Sequence, residues 1–211
     1  MTDQEEIRME PIQEFAPVSL GLCMIVRDEA EFLRDCLESV REIVSQIVVV
    51  DTGSTDASPD IARQFGAEVY FEAWQDDFSL ARNQALSHAA TDWVLVLDAD
   101  ERLSPEARSI LPVACASDYA DAMTLRLVNW LSEEDHTLIT THRLLRCFKR
   151  MPHVAYSGRI HEQISLCFAP HRIGRVEADI WHLGYLPSVM QAKQKIEIRM
   201  PMLLRAVADA P

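Results

Sequence analysis

Short apolar segments of strand length alternate with helical patterns over the first half of the chain. The apolar runs are residues 19–26, 46–51, 67–71 and 93–98. They are apolar almost throughout, which is typical of strands that are buried on both faces. Between them lie three segments with helical spacing or helix-end signals. This order predicts a parallel sheet with right-handed crossovers and helices on both faces.

The predicted helices carry start and stop signals. Asp28 and Glu31 resemble a capping box at the start of the first helix. In GSTDASPDIARQFG, Ser58 is a predicted N-cap, Pro59 takes the first helical position and Gly66 lies just past the end. The third helix is predicted in DFSLARNQALSHAA, where small residues recur on one face.

The second half of the chain changes character. DAMTLRLVNWL, THRLLRCFKR, RIHEQISLCF and ADIWHL are strand-like segments with turn signals between them. We therefore predict an α/β fold in which a mostly parallel sheet, flanked by helices, continues into a mixed or antiparallel C-terminal extension.

Residues 1–17 are expected to be a flexible acidic tail. Residues 188–211 are expected to be a helix that packs on a partner or begins a further region.

Composition narrows the class of function. The chain has 211 residues and a formal net charge of -13, which argues against a duplex-DNA binder because such proteins need a basic face. Its five cysteines include no CxxC pair, so a reduced, cytosolic protein is the preferred interpretation. No apolar run reaches the length of a membrane span, and the N-terminus carries no signal-peptide pattern.

Acidic residues follow two of the predicted strands. Asp51 ends one, and Asp98 and Asp100 follow another in LVLDADE. If that strand persisted through Asp100, both acids would share a face, and their charges would repel unless a cation or donors intervened. Mg²⁺ and Mn²⁺ prefer oxygen ligands and often share substrate phosphates. The alternative is that these acids cap the next helix or pair with Arg82 or Arg102.

Two other sites for charged ligands are excluded by residue type. A calcium loop that began at Asp98 would need Gly at its sixth position and Glu at its twelfth, where the chain has Leu103 and Ser109. A glycine-rich phosphate loop fails as well, because DTGSTD has one glycine and no Gly-Lys-Ser/Thr after it.

Four linked motifs resemble the nucleotide-sugar half of a family 2 glycosyltransferase with a GT-A fold. They are LCMIVRDEAEFLRDCLESV, IVVVDTGSTDAS, DFSLARNQALSHA and WVLVLDADE, within residues 18–105. The later GRIHEQI and WHLGY are similar to a bacterial subgroup that includes lipopolysaccharide-core glucosyltransferase-like proteins and enzymes with a helical-repeat tail. The resemblance implies a GT-A domain over 18–187, with its acceptor half at 106–187.

The resemblance also implies a donor site and a metal site. The implied donor-binding residues are Val26, Arg27, Asp51, Arg82 and Asp98. The implied ligands of Mn²⁺ or Mg²⁺ are Asp98, Asp100 and the late histidine His182 in IWHLGY. Alternatives stay open: Arg82 as an ion pair with a nearby acid, His182 as a half-buried structural histidine, and Glu101 as either metal support or a solvent-facing side chain.

The implied reaction is an inverting glycosyl transfer, in which the metal stabilises the departing diphosphate and a carboxylate takes a proton from the acceptor. The family's late Glu-Asp pair is not in its expected place, because Glu133–Asp135 reads as a solvated turn. Glu162 in SGRIHEQI is the predicted base, and His161 is predicted to orient acceptor or diphosphate. The alternative is a structural carboxylate bound to Arg159 or to a backbone amide.

One basic segment has two interpretations. HRLLRCFKR carries four cations, and as a strand it would place Arg146 and Arg150 on one face. A solvated edge strand is preferred over a contact with an anionic acceptor.

The partners implied are a nucleotide-diphosphate sugar, first of all a UDP-sugar, and a glycolipid, polysaccharide or protein acceptor, without nucleic acid. We expect a hexosyltransferase that is cytoplasmic or that lies at the inner face of the membrane in peripheral contact with it. One alternative is a non-catalytic nucleotide-sugar-binding module. The other is a nucleotidyltransferase, which is disfavoured because MIVRDEAEF contains no glycine.

Overall fold

The first half of the molecule is a parallel sheet with helical crossovers. The computed structural model describes residues 17–135 and 137–192. Its first elements are β1 (Leu20–Val26), α1 (Ala30–Glu38), β2 (Gln46–Asp51), α2 (Ser58–Gln64), β3 (Glu68–Phe71), α3 (Phe78–His88) and β4 (Trp93–Val96). The four strands are parallel neighbours in the order β3-β2-β1-β4. The predicted parallel sheet is therefore confirmed.

The second half extends the same sheet with mixed strand directions. Its elements are β5 (Glu101–Leu103), α4 (Pro105–Ala116), β6 (Ala122–Trp130), β7 (Ile139–Lys149), β8 (Ile173–His182) and α5 (Pro187–Ala192). β7 is antiparallel to β4 and β6, β8 is parallel to β6, and β5 is antiparallel to β8. The sheet in the described residues runs β3-β2-β1-β4-β7-β6-β8-β5. The predicted mixed extension is confirmed, and the three-residue strand β5 is new.

Helices cover the sheet on both faces. Leu33 and Leu37 of α1 are fully buried in one core cluster, which also takes in Leu111 of α4. On the other face, Ala85 of α3 packs in a second cluster with valines of β2 and β4. Each fully buried leucine or valine stabilises the fold by about 1.5–3 kcal/mol relative to an exposed one. The face of small residues predicted for α3 is the buried one, with Ala81 and Ala85 at most 2% exposed.

The start of α1 differs from the prediction. The predicted capping box of Asp28 and Glu31 is wrong, because Asp28 adopts a φ of 52° and its carboxylate accepts from the backbone N–H of Thr55 at 2.7 Å. No side chain of the helix itself caps α1. Instead, the backbone N–H of Glu29 donates to Oγ of Ser58 at 2.8 Å. The first residue of α2, Ser58, therefore binds the backbone at the start of α1.

The segment RIHEQISLCF does not form the predicted strand. Its residues lie in a loop that makes one isolated bridge, Ser157 with Gln163, and one 3-10 turn, Ser165–Cys167. Ile164 and Phe168 bury their side chains in the core. These two side chains anchor the irregular loop to the core. Apart from the single bridge, the segment pairs with no strand of the sheet, so its alternating apolar residues do not form a strand.

The far edge of the sheet returns toward its centre. β5 is the outermost strand in hydrogen-bond order, yet the backbone N–H of Leu103 donates to Oγ of Ser39, just past α1, at 3.0 Å. Arg102 also contacts Asp35 of α1 at 3.5 Å. Because α1 covers the β1 face of the sheet, these contacts require the sheet to curl strongly.

The ends of the chain carry predictions that the structure addresses only in part. Most of the predicted acidic tail and all of the predicted C-terminal helix beyond residue 192 lie outside the described residues. α5 begins at Pro187, one residue before the predicted start. Within residues 17–135 and 137–192, no helix has both the length and the apolar character to cross a membrane. All five cysteines are free thiols.

Candidate active site

The carboxyl ends of β1 and β2 form the first part of the site. Val26 and Asp51 are register partners at these ends. Oδ1 of Asp51 accepts from the backbone N–H groups of Gly53 and Ser54, each at 2.9 Å, and the turn uses a φ of 110° at Gly53. Oδ2 of the same carboxylate is buried and has no hydrogen-bond partner among the described residues. Arg27 is exposed directly after the end of β1. A buried acceptor without a partner costs free energy, so it indicates a ligand or water at this position.

The acidic segment after β4 is a turn and not a strand. β4 ends at Val96, so the premise that alternation would place Asp98 and Asp100 on one face does not hold. The backbone N–H of Glu101 donates to the carbonyl of Asp98 at 3.0 Å. In return, the backbone N–H of Asp98 donates to Oε2 of Glu101 at 2.8 Å. This turn directs Asp98 and Asp100 to different neighbours.

Two arginines and three acids form one alternating charge network, which consists of Glu162, Arg82, Asp98, Arg146 and Glu101. Nε of Arg82 donates to Oε1 of Glu162 at 2.5 Å, and its Nη2 donates to Oδ1 of Asp98 at 2.8 Å. Nη2 of Arg146 donates to Oε1 of Glu101 at 2.6 Å and lies 3.5 Å from Oδ2 of Asp98. The network therefore joins α3, the acidic turn, β7 and the loop before β8.

The network sets the charge of its acids. Desolvation acts to raise the pKa of Asp98, but Arg82 and Arg146 outweigh it and hold that pKa well below its usual range. Burial raises the pKa of Glu101 to about 7, against the opposing effect of Arg146. Asp98 keeps 39% of its side chain exposed whereas Glu101 keeps 1%. The ionised Asp98 thus faces the cleft, while Glu101 supports the turn from beneath.

Arg146 overturns the preferred interpretation of the basic segment. β7 lies between β4 and β6 in the sheet, so it is not a solvated edge strand. The side chain of Arg146 is only 10% exposed and pairs with two acids. Within the part of the chain that the structure describes, Nε of Arg146 and Nη1 of Arg82 are buried without a hydrogen-bond partner. These two donors are therefore further unsatisfied positions in the network.

His182 and Asp100 meet at the end of β8. Nε2 of His182 lies 3.5 Å from Oδ1 of Asp100, and its Nδ1 lies 2.6 Å from Oδ1 of Asn129. Asp98 faces the arginines instead, and among the described residues no group of three or more acid, cysteine or histidine side chains is arranged to hold a metal ion. One carboxylate and one imidazole fit a divalent cation that completes its shell with phosphate oxygens and water.

The loop that carries Glu162 is attached to α3. The backbone N–H of Phe78 donates to the carbonyl of Arg159 at 2.9 Å. Asn83 exchanges two hydrogen bonds with the backbone of Tyr156, at 2.7 and 2.9 Å. His161 is exposed and has a φ of 55°, an uncommon backbone conformation for a residue other than glycine. The structure thus brings Glu162 to the site, and His161 lies beside it on the surface.

Asp77 and Tyr156 add support around Arg82. Asp77 is the N-cap of α3 and accepts from the backbone N–H of Leu80 at 3.2 Å. The guanidinium of Arg82 lies over the ring of Tyr156, 5.7 Å from its centroid. Burial raises the pKa of Tyr156 to about 12, so its hydroxyl stays protonated at neutral pH.

Sequence reasoning missed the site residue Asn129 and assigned Arg146 to a solvated edge strand. Both interrupt apolar strands: Arg146 stands directly before buried Cys147 and Phe148, and Asn129 follows buried Val128. A charged or amide side chain inside such a run is costly to bury unless it is paired. This signal was present, but it required knowledge that the strands are interior ones.

The family model described as "Glycosyl transferase family 2" matches residues 22–180. A TPR repeat-containing protein of Synechococcus elongatus is 43% identical over 205 residues, which cover 93% of this chain and 50% of that protein. The SPbeta prophage-derived glycosyltransferase SunS of Bacillus subtilis is 28% identical over 181 residues, which cover 82% of this chain and 41% of that protein. The chain therefore spans about half the length of the curated relatives that it matches.

Solved structures show the same fold. Glucosyl-3-phosphoglycerate synthase from Mycobacterium tuberculosis, in complex with Mn²⁺, UDP and glucosyl-3-phosphoglycerate, matches with a TM-score of 0.60 at 14% identity, over 92% of this chain and 81% of that one. Residues 1–349 of TarS from S. aureus match with a TM-score of 0.59 at 13% identity, over 91% of this chain and 66% of that one. The family match shows that the chain belongs to glycosyl transferase family 2, and the solved structures show that it has the GT-A fold.

Proposed function

We propose that the chain transfers a sugar from a nucleotide-diphosphate sugar to an acceptor hydroxyl, with inversion at the anomeric carbon and with a divalent cation. The observation that carries this proposal is that Asp98 and Glu162 are joined by the buried Arg82, while Asp51 and Asp100 lie at the same carboxyl-end side of the parallel strands. Ligands of open α/β sheets bind outside the carboxyl ends of the strands.

Asp51 and the end of β1 are suited to hold the nucleoside. The partnerless Oδ2 of Asp51 is an acceptor for a base N–H or a ribose hydroxyl. UDP is the first nucleotide to test, since the structurally similar glucosyl-3-phosphoglycerate synthase contains UDP together with Mn²⁺. Asp98 would face the ribose and the cation from its place between two arginines. Arg27 and Val26 would complete the donor contacts.

Asp100 and His182 would hold Mn²⁺ or Mg²⁺. When bound there, the ion would supply positive charge that stabilises the departing diphosphate. The chain's own contribution is to hold His182, at the end of β8, next to Asp100 of the acidic turn. It also keeps Asp98 ionised in the same turn.

Glu162 is proposed as the base. Its Oε1 is held by Arg82, and its other carboxylate oxygen would take the proton of the acceptor hydroxyl while the acceptor oxygen bonds to the anomeric carbon. The bond from that carbon to the diphosphate breaks in the same step, and the nucleoside diphosphate leaves with the electron pair. His161, exposed next to Glu162, would contact the acceptor. A glycolipid, a polysaccharide or a protein would supply the acceptor hydroxyl. The expected cytoplasmic location stays a prediction.

A panel of UDP- and GDP-sugars tests the proposal directly. Thermal unfolding of the chain should shift upward by several degrees with one donor plus Mn²⁺ and much less with EDTA, because a ligand that binds only the folded state stabilises it. Slow release of the nucleoside diphosphate should accompany binding. Absence of any shift across the panel would refute the proposal, and donor binding without turnover would indicate a binding module instead.

The metal assignment has its own variant. Asp100→Ala should remove the part of donor binding that depends on Mn²⁺ and leave the part that does not. Asp60→Ala is the control, since Asp60 lies exposed on α2 and pairs only with Arg63 in its own helix. A donor affinity that still responds to Mn²⁺ in Asp100→Ala would show that the ligand is elsewhere.

A further inference from the structure

Three strands place Asn129, His182 and the acidic turn side by side. Asn129 of β6 is the register partner of His182 in the parallel β6–β8 pair. Glu101 of β5 is the register partner of the same histidine on its other side. The backbone N–H of Leu183 donates to the carbonyl of Asp100 at 3.0 Å. The position of His182 relative to Asp100 is therefore set by strand pairing on both sides.

The amide of Asn129 has a defined orientation. The residue is only 2% exposed, and its Nδ2 lies 3.4 Å from the carbonyl oxygen and 3.3 Å from Oγ1 of Thr140. A carbonyl oxygen only accepts hydrogen bonds, so the NH₂ group must face Thr140. Nδ1 of His142 lies 3.3 Å from the same nitrogen and can accept from it when the proton of that ring is on Nε2. The oxygen Oδ1 is consequently the atom that faces His182.

This orientation decides which nitrogen of His182 carries the proton. Oδ1 of Asn129 only accepts, and it lies 2.6 Å from Nδ1 of His182, so Nδ1 must be the protonated nitrogen. In a neutral imidazole the lone pair is then on Nε2, which lies 3.5 Å from Oδ1 of Asp100. Two acceptors this close repel each other unless a proton or a metal cation lies between them. Neighbouring ligands of an octahedral Mg²⁺ with bonds of about 2.1 Å are roughly 3 Å apart.

We propose that Asn129 is a positioning residue that fixes His182 as the Nδ1–H tautomer, so that Nε2 of His182 and the carboxylate of Asp100 form adjacent ligand positions for a divalent cation. The cation itself rests on the proposed function, whereas the tautomer does not. Outer-shell partners of metal-bound histidines fix ring orientation and tautomer in this way, and their loss lowers metal affinity by about 10–100-fold. Asn129 makes no contact with the cation and acts through His182.

The first test measures the tautomer without metal. The full chain, labelled with ¹⁵N-histidine, is studied by long-range ¹H–¹⁵N NMR at pH 8, and His182→Gln identifies the resonances of His182. We expect the Nδ1–H form in the wild type and in Asn129→Asp, which keeps an acceptor. Asn129→Leu should shift His182 toward the Nε2–H form, while His88 at the end of α3 serves as an unchanged reference. A wild-type His182 that is Nε2–H or doubly protonated overturns the proposal, even if no variant folds.

The second test measures Mn²⁺ binding by the loss of its free-ion EPR signal, with UDP present. Affinity should fall about 10–100-fold in Asn129→Leu and stay within a few-fold of wild type in Asn129→Asp. Equal affinity of the wild type and Asn129→Leu, with the tautomer changed, overturns the positioning role. If the wild type shows the expected tautomer but binds no Mn²⁺, the cation site of the proposed function fails, and with it the ligand role of His182, while the assignment of the tautomer by Asn129 stands.

Discussion

Arg146 and Glu101 form a hydrogen-bonded ion pair of 2.6 Å in which the two side chains are only 10% and 1% exposed. The pair joins β7 to β5, two strands that are separated by β6 and β8 in the sheet. Glu101 in turn accepts from the backbone N–H of Asp98. A buried pair of this kind therefore fixes the shape of the acidic turn from beneath.

Replacement of Arg146 should destabilise the fold strongly. Arg146→Met leaves Glu101 without its buried partner, and removal of one member of such a pair costs about 3–5 kcal/mol. Urea unfolding measures this loss. Arg175→Met is the control, because Arg175 pairs with Glu177 on the surface and its loss should cost at most about 1 kcal/mol. Adding Glu101→Leu to Arg146→Met should recover part of the stability. A loss equal to that of the control would show that the pair has no structural role.

Glu162→Gln should separate donor binding from transfer. Glutamine keeps an oxygen that can accept from Nε of Arg82, so the loop should stay in place and donor affinity should change little. Loss of a general base typically lowers the rate about 10²–10⁴-fold. Donor affinity by calorimetry and transfer to a water or sugar acceptor give the two measurements. Glu177→Gln, on the exposed side of β8, is the matched control. Turnover at the wild-type rate in Glu162→Gln would exclude Glu162 as the base.

Asp51→Asn should weaken nucleotide binding with little effect on stability. One amide oxygen can still accept from Gly53 and Ser54, but the partnerless Oδ2 is replaced by an NH₂ group that donates. A donor placed against a base N–H or a ribose proton leaves both groups unsatisfied, which costs about 1–3 kcal/mol, or roughly 5–150-fold in affinity. Titration with UDP measures this effect. Asp56→Asn, in the same loop, should leave UDP affinity unchanged; an equal loss in both variants would point to a loop distortion.

A pH-dependent contribution to stability is expected far from the site, at Asp121. Its carboxylate accepts two hydrogen bonds from Arg172, at 2.8 Å each, and one from Lys149 at 2.9 Å. These bonds, first that of Arg172, hold the pKa of Asp121 well below its usual value. The contribution is therefore complete above the unfolded pKa of about 3.9 and decreases as the pH falls below it.

Asp121→Asn isolates this contribution. At pH 7 the variant should be less stable by about 1 kcal/mol, since the group is partly exposed to solvent. The difference from wild type in urea unfolding should shrink between pH 4 and pH 3. A difference that stays constant over this range would mean that the charge of Asp121 does not stabilise the folded state.

The order of elements in the parallel half could be predicted because each strand there is buried on both faces. Such strands read as continuous apolar runs, as in β2, where Ile47–Val50 are all buried. The loop from residue 150 to residue 172 could not be predicted, because Ile164 and Phe168 enter the core from an irregular backbone. β5, with three residues, is too short for any periodic signal.

The acids of the site could be predicted from their position after apolar strands, whereas their partners could not. Asp51, Asp98 and Asp100 each follow a run that ends abruptly. Arg146 comes from a distant strand whose interior place depends on the topology, and its pairing with Glu101 is set by the curl of the sheet. Long-range pairs of this kind are not encoded in local periodicity.

The curl of the sheet limits how the cleft can move. Only four residues separate the last residue of β4, Val96, from the first of β5, Glu101, and this span reaches at most about 18 Å even when extended. Four strand spacings in a flat sheet would come to about 19 Å, and the turn at Asp98 shortens the reach further. The strands on either side of the acidic turn therefore cannot separate by hinge motion without breaking that turn. Any closure over a bound donor must come from the loops around the cleft, so hydrogen exchange on donor binding should slow in those loops and stay constant in the strands.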